Sequence, residues 1–350
     1  MNPKNWTLVT GGTGFIGFAL TKRLISLGYS VRIITRGGNY DEAFRRFLSV
    51  TSNSRLEIFV GEIYRSESIK RAFENVSYVF HLAALVNSVL PYKEFEAANV
   101  TATKNICELC LEYKVTKLFY ISTCDVFGLP GKTTVFTESS PYKNWLEPYA
   151  DSKIIATQLV KDFQQQGLKS IIFYPGWVYG PGDKAFMPSI LEQLQSGLMP
   201  IWDGGKYKIC LVYIDDLIDA IIMALQNEKS TNEDFLILDD SSQTNLEDIC
   251  NLLGSLFKVK YKIIHLPYVI AYIIAWTSQK LFQMKILEKP IMSTSDVKSL
   301  GCNFKYSTDK AKSLLGWSVT KEVRLGILEW KSWYVGKANS SDHPNPKSNP

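Results

Sequence analysis

Histidine is scarce in this 350-residue chain, which contains only His81, His265 and His343. So few imidazoles leave no His cluster from which a metal centre could be built, and the six cysteines do not supply one. Cys107 and Cys110 form a lone C-x-x-C with no second Cys or His pair nearby, and Asn105-Ile-Cys-Glu-Leu-Cys-Leu111 reads as one buried helix face. No N-terminal stretch combines a basic region, an apolar core and a cleavage site, because the first apolar run is already a strand pattern, Thr7-Leu-Val-Thr10. A cytoplasmic location with reduced thiols is expected, and Asn75-Val-Ser77 and Asn339-Ser-Ser341 match a glycan acceptor only formally. Charge of one sign is also in short supply. The net charge is +5 with lysines and arginines scattered along the chain, so nucleic acid is not implied as a partner. No apolar run reaches the ~20 residues that a membrane span needs, and no internal repeat stands out.

The chain is organised around Thr10-Gly-Gly-Thr-Gly-Phe-Ile-Gly17, a glycine-rich turn between the strand pattern at 7–10 and a helical pattern from Phe15 to Leu27. Gly11 permits a tight turn, Gly14 lets the backbone approach a pyrophosphate, and Gly17 lets helix and strand pack closely. The helix then opens with Phe15 and Ile16, whose end offers unpaired N–H groups to an anion, so a dinucleotide is the expected ligand. Further strand patterns at 29–35, 56–60, 78–82 and 117–122 alternate with helical patterns at 41–49, 66–75 and 99–113. This alternation predicts an α/β fold, a doubly wound parallel sheet of Rossmann type covered on both faces.

Ligands of such sheets bind beyond the carboxyl ends of the strands, so the residues there carry the chemistry. The second strand ends in Thr35-Arg-Gly-Gly38 where a carboxylate would be expected to hold a ribose 2′-OH. Arg36 can instead pair with a 2′-phosphate, which favours NADP over NAD, with NAD still open. Glu62 and Ile63, after the third strand, are placed beside the adenine. The fourth strand ends in His81-Leu-Ala-Ala84, where Leu82, Ala83 and Ala84 leave room for the cofactor backbone, and His81 reads as a hydrogen-bonded structural histidine.

Thr123 stands at the end of the fifth strand, and Tyr149-Ala-Asp-Ser-Lys153 starts a helix. Tyr149 and Lys153, four apart, share a helix face, and an ammonium near a phenol is expected to lower the phenol pKa from about 10. Tyr149 would then move a proton to or from a substrate oxygen that Thr123 hydrogen-bonds, while a nicotinamide exchanges hydride.

These motifs, with Asn99, Thr103-Lys-Asn105, Val126-Phe-Gly128, Pro175-Gly-Trp-Val-Tyr-Gly-Pro-Gly182, Val212-Tyr-Ile-Asp-Asp216 and Lys310-Ala-Lys-Ser-Leu-Leu-Gly-Trp317, resemble the extended short-chain dehydrogenase/reductase superfamily from Thr7 to about Tyr334. The resemblance implies a catalytic Thr123, Tyr149 and Lys153. It also implies that Pro175, Gly176 and Val178 lie beside the nicotinamide, and that a smaller, mainly helical C-terminal domain binds substrate. The implied division is 1–175 with about 207–245 for the cofactor, 176–206 with 246–336 for the substrate, and a disordered tail at 337–350. A strand at Phe235-Leu-Ile-Leu238 is expected to return to the main sheet, and a homodimer is implied.

The sugar-nucleotide branch of this superfamily clamps a diphosphate with two arginines, whose positions look like Ile209 and Ser293 here. Lacking those guanidiniums disfavours a nucleotide sugar. The aromatic, apolar stretch His265–Leu287 resembles instead the 3β-hydroxysteroid dehydrogenase, sterol-4-carboxylate dehydrogenase and dihydroflavonol reductase branch. The expectation is a small apolar alcohol or ketone as substrate, with peripheral membrane contact open for that stretch. One rival is an epimerase or dehydratase, because Thr123-Cys-Asp125 resembles the dehydratase Thr-Asp-Glu triplet. A second is a non-catalytic NADP-binding regulator.

Overall fold

The computed structural model describes residues 6–38, 40–51, 55–86, 90–131 and 133–338; of the tail expected to be disordered from 337, residues 337 and 338 instead close the last helix, and the rest lies outside the described residues. Seven parallel strands form the central sheet. They are β1 (Trp6–Thr10), β2 (Ser30–Thr35), β3 (Leu56–Val60), β4 (Val76–His81), β5 (Lys117–Ile121), β6 (Ser170–Pro175) and, after three strands outside it, β10 (Asp234–Ile237). Their spatial order is β3-β2-β1-β4-β5-β6-β10. This is a doubly wound sheet that reverses direction at β1, and the crevice for ligands opens at that reversal. Every residue of β1, β5 and β6 is buried, as strands covered on both faces require. The strand expected at 235–238 does return to the sheet edge, pairing with β6.

Helices α1 (Phe15–Ser26), α2 (Glu42–Val50), α3 (Ser66–Ile69), α4 (Tyr92–Phe95), α5 (Ala102–Glu112), α6 (Pro148–Gln165), α7 (Phe186–Gln195) and α8 (Ile214–Gln226) connect the strands. Two of the expected helices are modified. The one foreseen at 66–75 breaks after one turn into a 3-10 turn at Lys70–Phe73, and the one foreseen from 99 starts as a π-turn at Glu96–Thr101. The later chain holds β7 (Trp177–Tyr179), β8 (Leu198–Trp202), β9 (Leu211–Tyr213), β11 (Lys262–Leu266), α9 (Leu246–Phe257), α10 (Tyr268–Gln283), α11 (Thr294–Leu300) and α12 (Val323–Ala338). This part is mainly helical, with two parallel pairs, β7·β9 and β8·β11. The apolar stretch 265–287 divides between the end of β11 and α10.

Two sequence motifs meet to close this part. The Asp216 carboxylate accepts bonds from the Thr320 N–H and hydroxyl, and the Trp317 indole donates to the Asp216 carbonyl, so the Val212–Asp216 step holds the Gly316-Trp317 turn. The Asp183 carboxylate accepts from the N–H groups of Ala185, Phe186 and Met187, which fixes the start of α7 and the Gly180–Gly182 segment before it.

Candidate active site

The Gly-rich turn has the geometry its sequence requires. Gly11 sits at φ +71°, and a Cβ there would stand 2.9 Å from the Ala83 nitrogen. A Cβ on Gly17 would stand 2.1 Å from the Gly11 carbonyl oxygen. The start of α1, like those of α7 and α10, has neither a capping side chain at the residue before it, here Gly14, nor an acid in its first turn. By contrast, α2, α9 and α11 begin with Asp41, Asn245 and Ser293 accepting backbone N–H bonds. An uncapped helix end beside Phe15 and Ile16 fits an anionic pyrophosphate. Arg36 is exposed at the end of β2, beyond the same edge.

Beneath that turn a buried hydrogen-bond chain ties the strand ends to the helix carrying Tyr149. The Thr103 hydroxyl donates to the Asn99 carbonyl, so toward His81 it can only accept, and His81 Nε2 is the donor at 3.0 Å. Its Nδ1 then accepts from the Thr10 hydroxyl at 2.7 Å, while the Ala83 N–H donates to that same Thr10 oxygen. Burial, with the Lys153 charge adding, pushes His81 down to about 3, which keeps it neutral at physiological pH. It is the structural histidine expected. From Asn99 the chain continues through its amide, which binds both polar groups of the Leu85 backbone and donates to the Ser152 hydroxyl, and Ser152 donates to the Tyr149 carbonyl.

The side chains of Thr123 and Tyr149 come near each other, close enough for the Thr123 hydroxyl to act on the phenol. Lys153 does not lower the phenol pKa. Burial pushes Tyr149 well above its ordinary value, Asp125 and Cys124 beside it push the same way, and only the Thr123 hydroxyl acts against them. The reason is that Lys153 is engaged elsewhere: its Nζ donates to the Tyr120 hydroxyl at 2.7 Å and to the Ile121 carbonyl at 2.7 Å, and sits 4.3 Å from the Tyr120 ring centre. With no carboxylate partner among the described residues, burial lowers the Lys153 ammonium to about 7. Tyr120 is the partner that sequence reasoning missed. Its position three residues before Thr123 on an inward strand is the only local signal, and Lys153 lies 33 residues away. Asp125 is the second neighbour. Burial raises its carboxyl to about 6 against the pull of the Thr123 hydroxyl.

The other expected contacts divide. Gly176 needs its missing side chain, because a Cβ would stand 2.3 Å from the Cys210 carbonyl oxygen; Pro175 ends β6, and Val178 pairs with Val212. Leu82, Ala83 and Ala84 are half-buried beyond β4. Glu62 pairs with Arg65 at 3.1 Å, and Ile63 gives its carbonyl to the Asn105 amide, so both hold the loop after β3. The positions of the two absent arginines have structural duties: Ile209 is buried in the core, and Ser293 caps α11 in a reciprocal box with Asp296. A cleft of about 930 Å³ borders Thr13, Gly14 and Phe15 between α1 and α2, but none of Thr123, Tyr149 or Lys153 lines it.

An uncapped helix end at the sheet's reversal point, with a Thr–Tyr pair and a buried lysine beyond the neighbouring strands, defines a dinucleotide-dependent oxidoreductase. Residues 7–237 match the NAD dependent epimerase/dehydratase family, and the chain belongs to that family, within the extended short-chain dehydrogenase/reductases. It is similar to a 2-alkyl-3-oxoalkanoate reductase of Shewanella oneidensis, 25% identical over 93% of this chain and 85% of that one. It is also similar to the decarboxylating sterol-4-alpha-carboxylate 3-dehydrogenase of Mus musculus, 25% identical over 88% of this chain and 85% of that one. A solved UDP-glucuronic acid 4-epimerase of Bacillus cereus, in complex with UDP-glucuronic acid and NAD, shares the fold, with a TM-score of 0.76, 21% identity, and coverage of 95% of this chain and 99% of that one.

Proposed function

We propose that this oxidoreductase interconverts a secondary alcohol and a ketone on a small apolar substrate of steroid, lipid or flavonoid kind, with NADP preferred. The observation that carries the reading is the Thr123–Tyr149 pair, set in a chain whose two diphosphate-clamp positions are a buried isoleucine and a helix-capping serine. The named substrates of the relatives, an oxoalkanoate and a sterol carboxylate, support an apolar body. Gly11, Gly14, Phe15 and Ile16 would hold the pyrophosphate, Arg36 a 2′-phosphate, Glu62 and Ile63 the adenine side, and Leu82–Ala84 with Pro175, Gly176 and Val178 the nicotinamide side. When bound, the nicotinamide supplies or accepts the hydride.

The chain's own residues do the proton work. Tyr149, protonated at rest because burial disfavours its phenolate, gives its proton to the carbonyl oxygen as that oxygen becomes an alcohol. Thr123 donates a hydrogen bond to the same oxygen and orients it. Lys153, held by Tyr120 and the Ile121 carbonyl, brings positive charge to the helix face that Tyr149 shares.

Asp125 favours a second reading. A carboxyl raised to about 6 beside Tyr149 is a proton donor near neutrality, which a dehydratase needs for its leaving hydroxyl. Two readouts separate them: NADPH and NADH absorbance followed with steroids, 3-oxo lipids and flavanones, and product analysis of nucleotide sugars, whose epimerisation or dehydration returns the hydride and leaves the absorbance unchanged. Turnover of an apolar ketone with NADPH is expected, and turnover of nucleotide sugars alone would overturn the first reading. Tyr149→Phe is expected to lower kcat at least about a hundredfold while dinucleotide affinity stays within about threefold.

A further inference from the structure

Helix α10 is apolar on both sides. Its inner face, Ala271, Ala275 and Ser278, packs toward Trp202 and Val297. A line of residues at spacings of four, three and four, Val269, Ile273, Trp276 and Lys280, runs along the opposite side, where a helix on a water-facing surface carries polar groups. Val269, Ile273 and Trp276 are each more than half exposed, and Met284 and Ile286 just beyond the helix, with Ile291, are exposed to the same degree. Single exposed apolar residues are ordinary, but a stripe that ends in a tryptophan and a lysine is not.

The segment that carries it is rich in lysine. Segment 258–289 carries six lysines, all exposed, against the single acid Glu288, a net charge of +5. That equals the excess for the whole chain, 39 basic against 34 acidic residues, so the remainder is neutral. Six lysines therefore carry the charge of this segment. Among them Lys289 pairs with Glu192 and Lys280 donates to the neutral Gln283. No helix of the described residues is long and apolar enough to cross a membrane.

We propose that the outer face of α10, with the turn after it, docks on the surface of an anionic phospholipid bilayer. Val269, Ile273, Trp276, Met284 and Ile286 enter the interfacial layer, and the lysine side chains reach back to the headgroup phosphates. The docking is independent of which substrate is turned over. It does place the bilayer one helix away from the start of α6, because α10 packs on α11, whose Lys298 is ion-paired with Glu147 just before Tyr149.

The test is flotation of the full chain with vesicles of equal parts phosphatidylcholine and phosphatidylglycerol, and with phosphatidylcholine alone, at about 0.1 M and about 1 M salt. Binding to the anionic vesicles that weakens at high salt is expected. The double variant Ile273→Ser/Trp276→Ser and, separately, Lys280→Gln/Lys285→Gln should each lower partitioning about tenfold with an unchanged thermal midpoint. The lysine variant leaves the apolar stripe intact, so it still reports if the first variant fails to fold. Absence of flotation with either vesicle, or flotation indifferent to both variants, overturns the proposal. Light scattering that shows a dimer lost on substituting Ile273 and Trp276, without vesicle binding, overturns it in favour of a contact between two copies.

Discussion

The Tyr120 hydroxyl is a residue-scale detail with a measurable consequence. It stabilises the Lys153 ammonium, whose pKa burial has already brought to about 7. If the ammonium form serves the reaction, activity falls as pH rises through that value. Tyr120→Phe removes one acceptor and deepens the penalty on charge, so the falling limb of the kcat/KM profile is expected to move toward lower pH by about half a unit or more. A variant with an unmoved limb and only a lower rate would leave Tyr120 a packing residue. Asp125 bears on stability. Its pKa is raised in the folded protein, so its contribution is fully present below the ordinary carboxylate pKa near 4 and is lost as pH rises through about 6. Asp125→Asn is therefore expected to stabilise the protein at pH 7 by about 1–2 kcal/mol and to make no such gain at pH 4, as denaturant titrations at the two pH values would show. The glycines, Thr123 and Tyr149 were legible in the sequence because each stands at a fixed offset within its own short motif. The state of the Tyr149 phenol was not, because four-residue spacing places Lys153 on the right helix face without saying which neighbour its ammonium will choose.

At the scale of elements, helix α6 is held at both sides of Tyr149 by partners far away in sequence. The Ser152 hydroxyl reaches Asn99, and Glu147, just before the helix, is buried against the Lys298 ammonium at 2.6 Å, with the Trp145 carbonyl taking a second bond from that ammonium. Removing one member of a buried ion pair leaves the other charge unpaired. Lys298→Met is accordingly expected to cost about 3 kcal/mol of stability and to lower kcat more than dinucleotide affinity, as chemical denaturation and steady-state rates would reveal. The strands could be read from composition because a sheet covered on both faces leaves continuous apolar runs. The π-turn at 96–101 could not, since it is set by the demand that Asn99 reach both Leu85 and Ser152. Nor could the Glu147–Lys298 pair, whose members stand 151 residues apart.

For the molecule as a whole, ligand binding couples to unfolding. A dinucleotide that binds only the folded chain stabilises it by about 2.7 kcal/mol at a hundred times its Kd. At equal concentrations NADPH is expected to raise the thermal midpoint more than NADH, and equal shifts would argue against Arg36 as a phosphate partner. Gly11→Ala, which puts a methyl 2.9 Å from the Ala83 nitrogen in a left-handed backbone, should lower the starting midpoint and abolish both shifts.

The seventh strand has a consequence for synthesis. β10 lies at the sheet's margin beside β6, yet 58 residues separate Pro175 from Asp234, and within them the chain builds β7, α7, β8, β9 and α8. On the ribosome, six strands emerge long before the one that shields the backbone groups of β6. Until residue 237 has cleared the exit tunnel, the nascent sheet presents an open hydrogen-bonding flank to any neighbouring polypeptide. Fragments ending between residues 176 and 233 should therefore aggregate, although they contain the whole glycine turn and the tyrosine helix.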